Sequence, residues 1–216
     1  MPLASFEDVV GRGTWTPEVA LANRLRSVLS DEIRVYRVIR APQGFDARFS
    51  ALRRRYTYRI ADNVDAVDPL RRHDTVAYDR GLDVDAMDEA AQCLLGLHDF
   101  AAFCRRRDGA TTVRTLLKYG WSRDDRGVVV ADVQADAFCH SMVRALVGAM
   151  VRVGEGQFSP ETIREILGAR VRDPRMIVMP AHGLSLEEIV YPPDHLVGQR
   201  AEEARNTRSL PEATTD

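Results

Sequence analysis

Residues 45–58 read Phe-Asp-Ala-Arg-Phe-Ser-Ala-Leu-Arg-Arg-Arg-Tyr-Thr-Tyr and place an arginine cluster directly before two tyrosines. Tyr56, Tyr58 and Ile60 recur at every second position, which predicts a strand with one buried face. Arginine guanidinium groups bind phosphates through paired hydrogen bonds, and a tyrosine ring can stack on an unpaired base. The stretch therefore favours an RNA ligand, with a solvent-exposed basic strand as the alternative.

The segments after residue 45 follow an order that is typical of one class of α+β fold. The predicted elements are a strand at 55–61, a helix capped by Asp83, strands at 113–123 and 128–135 around a turn, helices at 140–153 and 160–168, and a strand at 184–191. This order of strand, helix, two strands, helix and strand is the split β-α-β topology of ferredoxin-like domains. We therefore expect an antiparallel sheet.

The two ends of the chain differ from this central part. Near the start, Thr16-Pro17 predicts the beginning of a helix, residues 33–40 alternate like a strand, and Pro42-Gln43-Gly44 interrupts the pattern. We place a domain boundary there, after residue 44. The other end is polar and lacks periodicity, which predicts a disordered tail over residues 196–216.

Composition indicates a soluble globular protein. The 216 residues are 45% hydrophobic, enough for a sizeable core, and 30 basic against 32 acidic residues give a net charge of -2. A balance so close to neutral argues against a simple polycationic binder and favours one basic groove. The chain has no leader-like start and no long apolar run, so we expect neither secretion nor a membrane span.

The three cysteines Cys93, Cys104 and Cys139 are an odd number without the paired spacing of a metal site. They predict a reducing compartment and therefore a cytoplasmic protein. Cys139-His140 could also be a nucleophile and its base. No third orienting group accompanies the pair, and a buried thiol is the simpler interpretation.

The stretch at 45–58 resembles the signature Phe-His-Ala-Arg-Phe-Ser-Ala, followed by Arg-Tyr-x-Tyr, of the tRNA pseudouridine synthase A family. Other segments resemble further motifs of the family, in family order. They are Leu95–Phe103 for Gly-x-His-Asp-Phe-x-x-Phe, Val113–Leu116 for Arg-Thr, Asp136–Arg144 for Ala-Phe-x-x-x-Met-Val-Arg, and Pro180–Leu186 for Pro-x-x-Gly-Leu-x-Leu. An ordered set of matches is far more specific than any single motif.

The resemblance implies a fold, a reaction and partners. It implies two ferredoxin-like domains joined through one antiparallel sheet, with residues 45–195 as the C-terminal domain and residues 1–44 as a remnant of the N-terminal domain. It implies an enzyme without cofactor or metal that isomerises uridine to pseudouridine at positions 38–40 of the tRNA anticodon stem-loop. It also implies a homodimer whose partner is the tRNA anticodon arm.

One family motif has no counterpart in the sequence. The catalytic aspartate of the family lies in Gly-Arg-Thr-Asp-Ala-Gly-Val-His, and this string does not occur here. We therefore expect the chain to be N-terminally truncated relative to the family. The alternative function is an inactive fragment that lacks the catalytic aspartate and is at most an RNA-binding module. A third interpretation is an unrelated ferredoxin-like binding domain.

Tyr56 and Arg144 are the catalytic residues that the resemblance implies. Tyr56 matches a tyrosine whose ring can stack on uracil and whose hydroxyl is a candidate base for the C5 proton. Arg144 matches the arginine that pairs with the catalytic aspartate. An arginine in an otherwise apolar helix also needs a carboxylate, because an unpaired buried charge costs several kcal/mol. A core tyrosine and a structural ion pair are the alternatives.

Several residues of the opening stretch are candidates for contacts to the tRNA backbone. They are Arg48, Ser50, Arg53, Arg54 and Arg55. Because side chains alternate between the two faces of a strand, some of these arginines must face solvent instead. His98 and Asp99 could be a metal or acid–base pair, but we interpret them as the cap of a short turn that holds Phe100 and Phe103.

Overall fold

The computed structural model describes residues 15–105 and 111–205. The chain divides into two compact units, Met1–Phe45 and Asp46–Asp216. The first unit contains helix α1 (Pro17–Val28). The second contains strands β1 (Arg53–Ala61), β2 (Val76–Ala77), β3 (Gly96–Asp99), β4 (Val113–Arg123), β5 (Val129–Ala135) and β6 (Leu184–Val190), and helices α2 (Val84–Gln92), α3 (Met142–Gly154), α4 (Pro160–Ala169) and α5 (Val197–Arg205). Within the described ranges, no helix has both the length and the apolar character needed to span a membrane.

β1 is an inner strand of a six-stranded sheet and is paired along both of its edges. It pairs antiparallel with β5 along one edge, and along the other edge it pairs antiparallel with β6 and parallel with β2. β4 adds to β5 and β3 to β4, again antiparallel. The strand order β6-β1-β5-β4, connected through helices, is the predicted split β-α-β arrangement, so the α+β fold class is confirmed. The domain division into 1–44 and 45–195 stays a prediction.

One face of this sheet packs against α2 and α3. Tyr58 and Ile60 of β1 are fully buried, together with Met87 of α2 and with Leu146 and Met150 of α3. This is the face that the alternation along β1 predicted. The residues at the intervening positions of β1 point to the opposite, polar face of the sheet.

The ends of several elements follow from the local sequence. Asp83 accepts a hydrogen bond from the Ala86 N–H (3.0 Å) at the start of α2. Ser159 and Thr162 form a reciprocal capping box at the start of α4. The hairpin between β4 and β5 turns at Gly127, whose φ of +77° favours glycine. The predicted helix starts and the predicted hairpin are therefore present.

The strand predicted at residues 33–40 is wrong. Between α1 and β1 the described residues form no strand. A strand needs a partner for its N–H and C=O groups, and here the carbonyls of Val35 and Tyr36 instead accept hydrogen bonds from the Arg26 guanidinium. The apolar residues of the alternating pattern are left in solvent, with Tyr36 83% and Ile39 66% exposed.

The disordered tail predicted for residues 196–216 is wrong in its first part. The chain forms α5 there, and residues 206–216 lie outside the described ranges. Val197 and Ala201 lie one turn apart and are 2% and 1% exposed. Two buried residues hold one face of a short helix in place, but they are too few to produce an apolar periodicity in the sequence.

Cys104 and Cys139 are paired as a disulfide, with their Cα atoms 5.8 Å apart. The sequence predicted unpaired thiols, and for these two cysteines that prediction is wrong. They lie 35 residues apart in the chain, and the fold brings the turn after β3 next to the entry of α3. Their spacing in the sequence carries no sign of this proximity. Cys93 is a free thiol.

Helix α3 lies in close backbone contact with the segment after α4. A Cβ atom on Gly148 would lie 2.1 Å from the carbonyl oxygen of Ile177, where the two atoms would overlap. The glycine therefore allows residues 176–179 to pass directly against the helix. The Met179 N–H donates to the Arg144 carbonyl there (3.2 Å), which brings the backbone of Met179 to the first turn of α3.

An ion pair between a buried aspartate and an exposed arginine fixes the residue that follows β1. Asp62 is 2% exposed and accepts two hydrogen bonds from the Arg123 guanidinium (2.6 and 2.7 Å) and one from the Leu82 N–H (2.8 Å). Burial by itself raises the pKa of the Asp62 carboxyl. The bonds from Arg123 and Leu82 outweigh burial and hold this pKa below its usual value. The pair ties the end of β1 to the end of β4.

Replacing Asp62 with Asn should lower the free energy of unfolding by about 2 kcal/mol at neutral pH, because the buried side chain loses its charge-assisted hydrogen bonds with Arg123. The folded-state pKa lies below the unfolded value of about 4, so this stabilisation is present above that pH. It should disappear as the pH falls through the folded-state pKa. Thermal unfolding from neutral pH to about pH 2.5 measures the difference from wild type.

The matched control is Asp79→Asn, at an exposed position, which should change stability little. A difference between wild type and Asp62→Asn that stays constant down to the lowest pH would contradict the linkage between this carboxyl and the fold.

Candidate active site

Two adjoining cavities border the start of β1 and the entry of α3. Their volumes are about 260 Å³ and about 370 Å³. We call the two cavities together the β1–α3 cleft. The residues that line both cavities are Arg48, Tyr56, Thr111, Arg114 and Phe138. The first cavity extends to α5, and the second extends to the first turn of α3.

Tyr56 stands in the wall that the two cavities share. β1 holds it between Val133 of β5 and Leu186 of β6. Its ring meets the Phe138 ring edge-on, with 5.1 Å between centroids and 90° between the planes. This packing fixes the orientation of the tyrosine ring, which remains partly exposed and can receive a flat ligand.

Arg144 borders the second cavity from the first turn of α3. Its half-buried guanidinium makes two long hydrogen bonds of 3.4 Å, to the Met179 carbonyl and the Ser141 hydroxyl. Across the described ranges, no carboxylate forms an ion pair with it. The structural ion pair that was one alternative for Arg144 is therefore absent from this part of the chain. Its guanidinium keeps donors that can hold a carboxylate in the cleft.

The sheet separates the arginines that were predicted to contact tRNA. Arg48 and Arg54 line the cleft. Arg53 and Arg55 do not, and Arg55 approaches Glu188 of β6 on the polar face of the sheet (3.8 Å). We expected the alternation along β1 to place some of these arginines on the face opposite the cleft, and Arg53 and Arg55 are the two that lie there. We do not expect either of them to touch a strand bound in the cleft.

Ser50 has a structural place instead of the predicted contact with tRNA. Its side chain is 0% exposed, and its hydroxyl donates to the Val197 carbonyl (2.8 Å) while it accepts from the Asp46 N–H (2.9 Å). A buried hydroxyl that already donates its one proton cannot donate to an RNA phosphate. Ser50 instead joins the loop at residues 46–50 to α5.

Arg114 and Phe138 are cleft residues that the sequence did not single out as functional. The Arg114 guanidinium donates to the carbonyls of Val113 (2.6 Å) and Thr111 (2.7 Å), which directs it along the cleft wall. Both residues lie within motifs that resemble the family, Arg-Thr and Ala-Phe. Those motifs were the available signal, but a motif position alone does not show which side chains converge.

His98 and Asp99 do not line the cleft. Asp99 accepts hydrogen bonds from the Ala101 N–H (3.1 Å) and the Thr112 hydroxyl (2.5 Å), which link the turn at Ala101–Phe103 to the residue before β4. The residue at the N-cap position of this turn is Phe100, so the predicted cap by His98 and Asp99 is wrong, although Asp99 bonds the first N–H of the turn. The His98 ring is hydrogen-bonded to the backbone. Within the ranges that the structure covers, no cluster of His, Cys, Asp and Glu side chains could hold a metal ion.

Comparisons with known proteins agree with the motifs. A family model described as tRNA pseudouridine synthase matches residues 90–192. The chain is 57% identical over 195 residues to tRNA pseudouridine synthase A of Frankia casuarinae. This alignment covers 90% of the chain and 71% of the relative. The same enzyme of Streptomyces griseus is 54% identical over 197 residues (91% and 69% covered), and that of Leifsonia xyli is 53% identical over 193 residues (88% and 67%).

The chain belongs to the tRNA pseudouridine synthase A family. The family assignment made from the motifs is confirmed. Alignments that cover about 90% of the chain contain both Tyr56 and Arg144, wherever they begin. The fold thus brings into one cleft the two residues that the motifs of the tRNA pseudouridine synthase A family pointed to.

Proposed function

We propose that this protein isomerises uridine to pseudouridine in tRNA. The observation that carries the proposal is the meeting of Tyr56 and Arg144 in one cleft, in a chain more than half identical to three proteins named tRNA pseudouridine synthase A. Arg48, Arg54 and Arg114 line the same cleft and supply positive charge for an RNA backbone.

The reaction breaks the C–N glycosidic bond of uridine, turns the released uracil and joins it to the ribose through C5. The target base must first leave the helical stack, which requires a pocket beside a cationic surface. In our proposal the Tyr56 ring stacks on the uracil. After the new C–C bond has formed, its hydroxyl oxygen takes the C5 proton while the hydroxyl's own proton passes to solvent. The orientation that Phe138 gives to the tyrosine ring supports this role.

Arg144 holds a carboxylate that acts on the ribose in this proposal. A bidentate pair would orient the carboxylate and keep it ionised. The long hydrogen bonds that Arg144 makes to Met179 and Ser141 support the role, because such weak partners are easily exchanged for a carboxylate. We assign this carboxylate to no residue of the sequence, since the family string around the catalytic aspartate does not occur in it.

Tritium release tests the function and its target. The native protein, purified from its own cells, is incubated with a tRNA transcript carrying C5-tritiated uridine, including positions 38–40 of the anticodon stem-loop. Joining the ribose to C5 releases the tritium to water, so we expect release from this transcript. A transcript with cytidine at positions 38–40 is the control. Absence of release from both would contradict the function, and equal release from both would contradict the target positions.

The 216-residue chain is assayed beside the native protein. Tritium release by this chain would contradict our view that the catalytic carboxylate is not among its residues. Binding of the transcript without release would instead support the alternative, an RNA-binding module without activity of its own.

Tyr56→Phe in the native protein should lower turnover by about 100-fold or more, because it removes the proposed base, and should leave the tRNA Kd nearly unchanged. Arg144→Lys should be similarly severe, since an ammonium group cannot form the bidentate pair. Arg152→Lys is the matched control, at a position of α3 paired with Glu155 outside the cleft. Near-normal turnover of Tyr56→Phe or Arg144→Lys would exclude the role proposed for that residue.

We further propose, from the family resemblance, that the protein is a homodimer and acts in the cytoplasm. Light scattering of the native protein should give twice its chain mass, and a single chain mass would contradict the dimer. Structural disulfides are rare in a reducing cytoplasm, so a cytoplasmic location requires that the Cys104–Cys139 disulfide of the structure is reduced in the cell. Both residues should then be alkylated as free thiols when cells are quenched before lysis. A blocked pair would argue against the cytoplasmic location.

A further inference from the structure

Helix α5 is fastened to the loop before β1 near both of its ends. At the start of the helix, the Ser50 hydroxyl donates to the Val197 carbonyl (2.8 Å). At its end, the Arg205 guanidinium approaches the Asp46 carboxylate (3.3 Å) and lies over the Phe49 ring, 5.2 Å from the centroid. Because the short helix is held at two points, its orientation about its own axis is fixed.

In this orientation of α5, Arg200 faces the β1–α3 cleft. Arg200 lines the first cavity together with Arg48, Arg54 and Arg114, so that α5 adds a fourth arginine to a wall built by the loop, β1 and β4. Residues three and four positions apart share a face of a helix. Arg200 therefore lies on the same side of α5 as the buried Val197, three positions before it, and its place at the cavity follows from the burial of Val197.

Arg200 differs from the other arginines of this wall in its partners. Arg54 and Arg114 donate to backbone carbonyls, and the Arg48 guanidinium lies over the Phe49 ring, 5.0 Å from its centroid. Arg200 is half-buried, and within the part of the chain that the structure describes its side chain has no hydrogen-bond or ion-pair partner. A partly dehydrated cation of this kind is ready to bind an anion.

The acidic groups near Arg200 do not neutralise this wall. Asp136, which lines the same cavity, accepts hydrogen bonds from the backbone N–H groups of Thr115 (3.1 Å) and Ala137 (2.6 Å). Glu202 and Glu203 of α5 are exposed and do not line the cavity. Among the described residues that line this cavity there are four arginines and one carboxylate, so this part of the wall is cationic.

We propose that Arg200 binds a phosphate of the tRNA strand beside the target uridine, and that α5 forms part of the wall that receives this strand. The inference rests on the proposed function, because it assigns a further substrate-binding residue to the same site. A nucleotide that leaves the stack needs cations along its flanking backbone. The guanidinium groups of Arg200 and Arg48 line one cavity and meet this need from two separate segments.

Arg200→Ala should weaken tRNA binding by the native protein roughly three- to tenfold at about 0.1 M salt, through the loss of one phosphate contact. The slope of log K against log salt concentration should become less steep by about 0.7–0.9, since one released counterion is lost. The kcat at saturating tRNA should stay near the wild-type value. Filter binding across a salt series and tritium release measure these quantities. Arg200→Lys keeps the cation and should keep the wild-type slope.

Arg164→Ala is the matched control, because Arg164 is an exposed helix arginine outside the cleft. Its slope and Kd should equal those of wild type. If Arg200→Ala binds as the control does, or if Arg200→Ala and Arg200→Lys lose affinity equally, the inference is overturned. Under either of these two outcomes for the Arg200 variants, the wild-type protein still binds and modifies tRNA, so the proposed function stands. A wild-type protein that binds no tRNA would instead overturn the proposed function, and the role of Arg200 with it.

Discussion

Hydrogen bonding along both edges of β1 sets the position of every cleft residue that this strand carries. The pairs with β5 and β6 hold Tyr56 and Arg54 on the cleft side and Arg55 on the polar side. A slip of one residue would exchange the two faces and drive Arg55 and Arg59 into the apolar core. Burying these charges would cost several kcal/mol, so the arginines that mark the strand in the sequence also protect its register.

The chain has a nearly neutral total charge and yet a cationic cleft, because its arginines are paired with acids in some places and with backbone carbonyls in others. On the polar face of the sheet, arginines meet acids, as in the ion pair between Arg59 and Glu187 (3.1 Å). In the cleft, Arg54 donates to the backbone carbonyls of Asp136 and Arg48, which orient its guanidinium without cancelling its charge. A ligand with phosphates therefore meets a local positive field, although the formal net charge of the whole protein is -2.

Features with a local cause were predictable from the sequence, and features made by distant contacts were not. The cap at Asp83 and the alternation of β1 each depend on a few neighbouring residues. Arg144 is recognisable in the sequence because it is a cation in an apolar helix. The disulfide, the docking of α5 and the burial of Ser50 depend on segments far apart in the chain. Residues 33–40 have the alternation of a strand, but hydrogen bonding to Arg26 replaces a partner strand.

Gly148 also limits how α3 can move. Because the helix touches the backbone of Ile177 at a position without a side chain, sliding α3 along its axis by one residue would press a side chain into the Ile177 carbonyl. This contact fixes the position of α3 along its axis, and with it the position of Arg144 in the first turn. Any adjustment of the site to an incoming nucleotide must come from side-chain rotation or from the loop that enters α3.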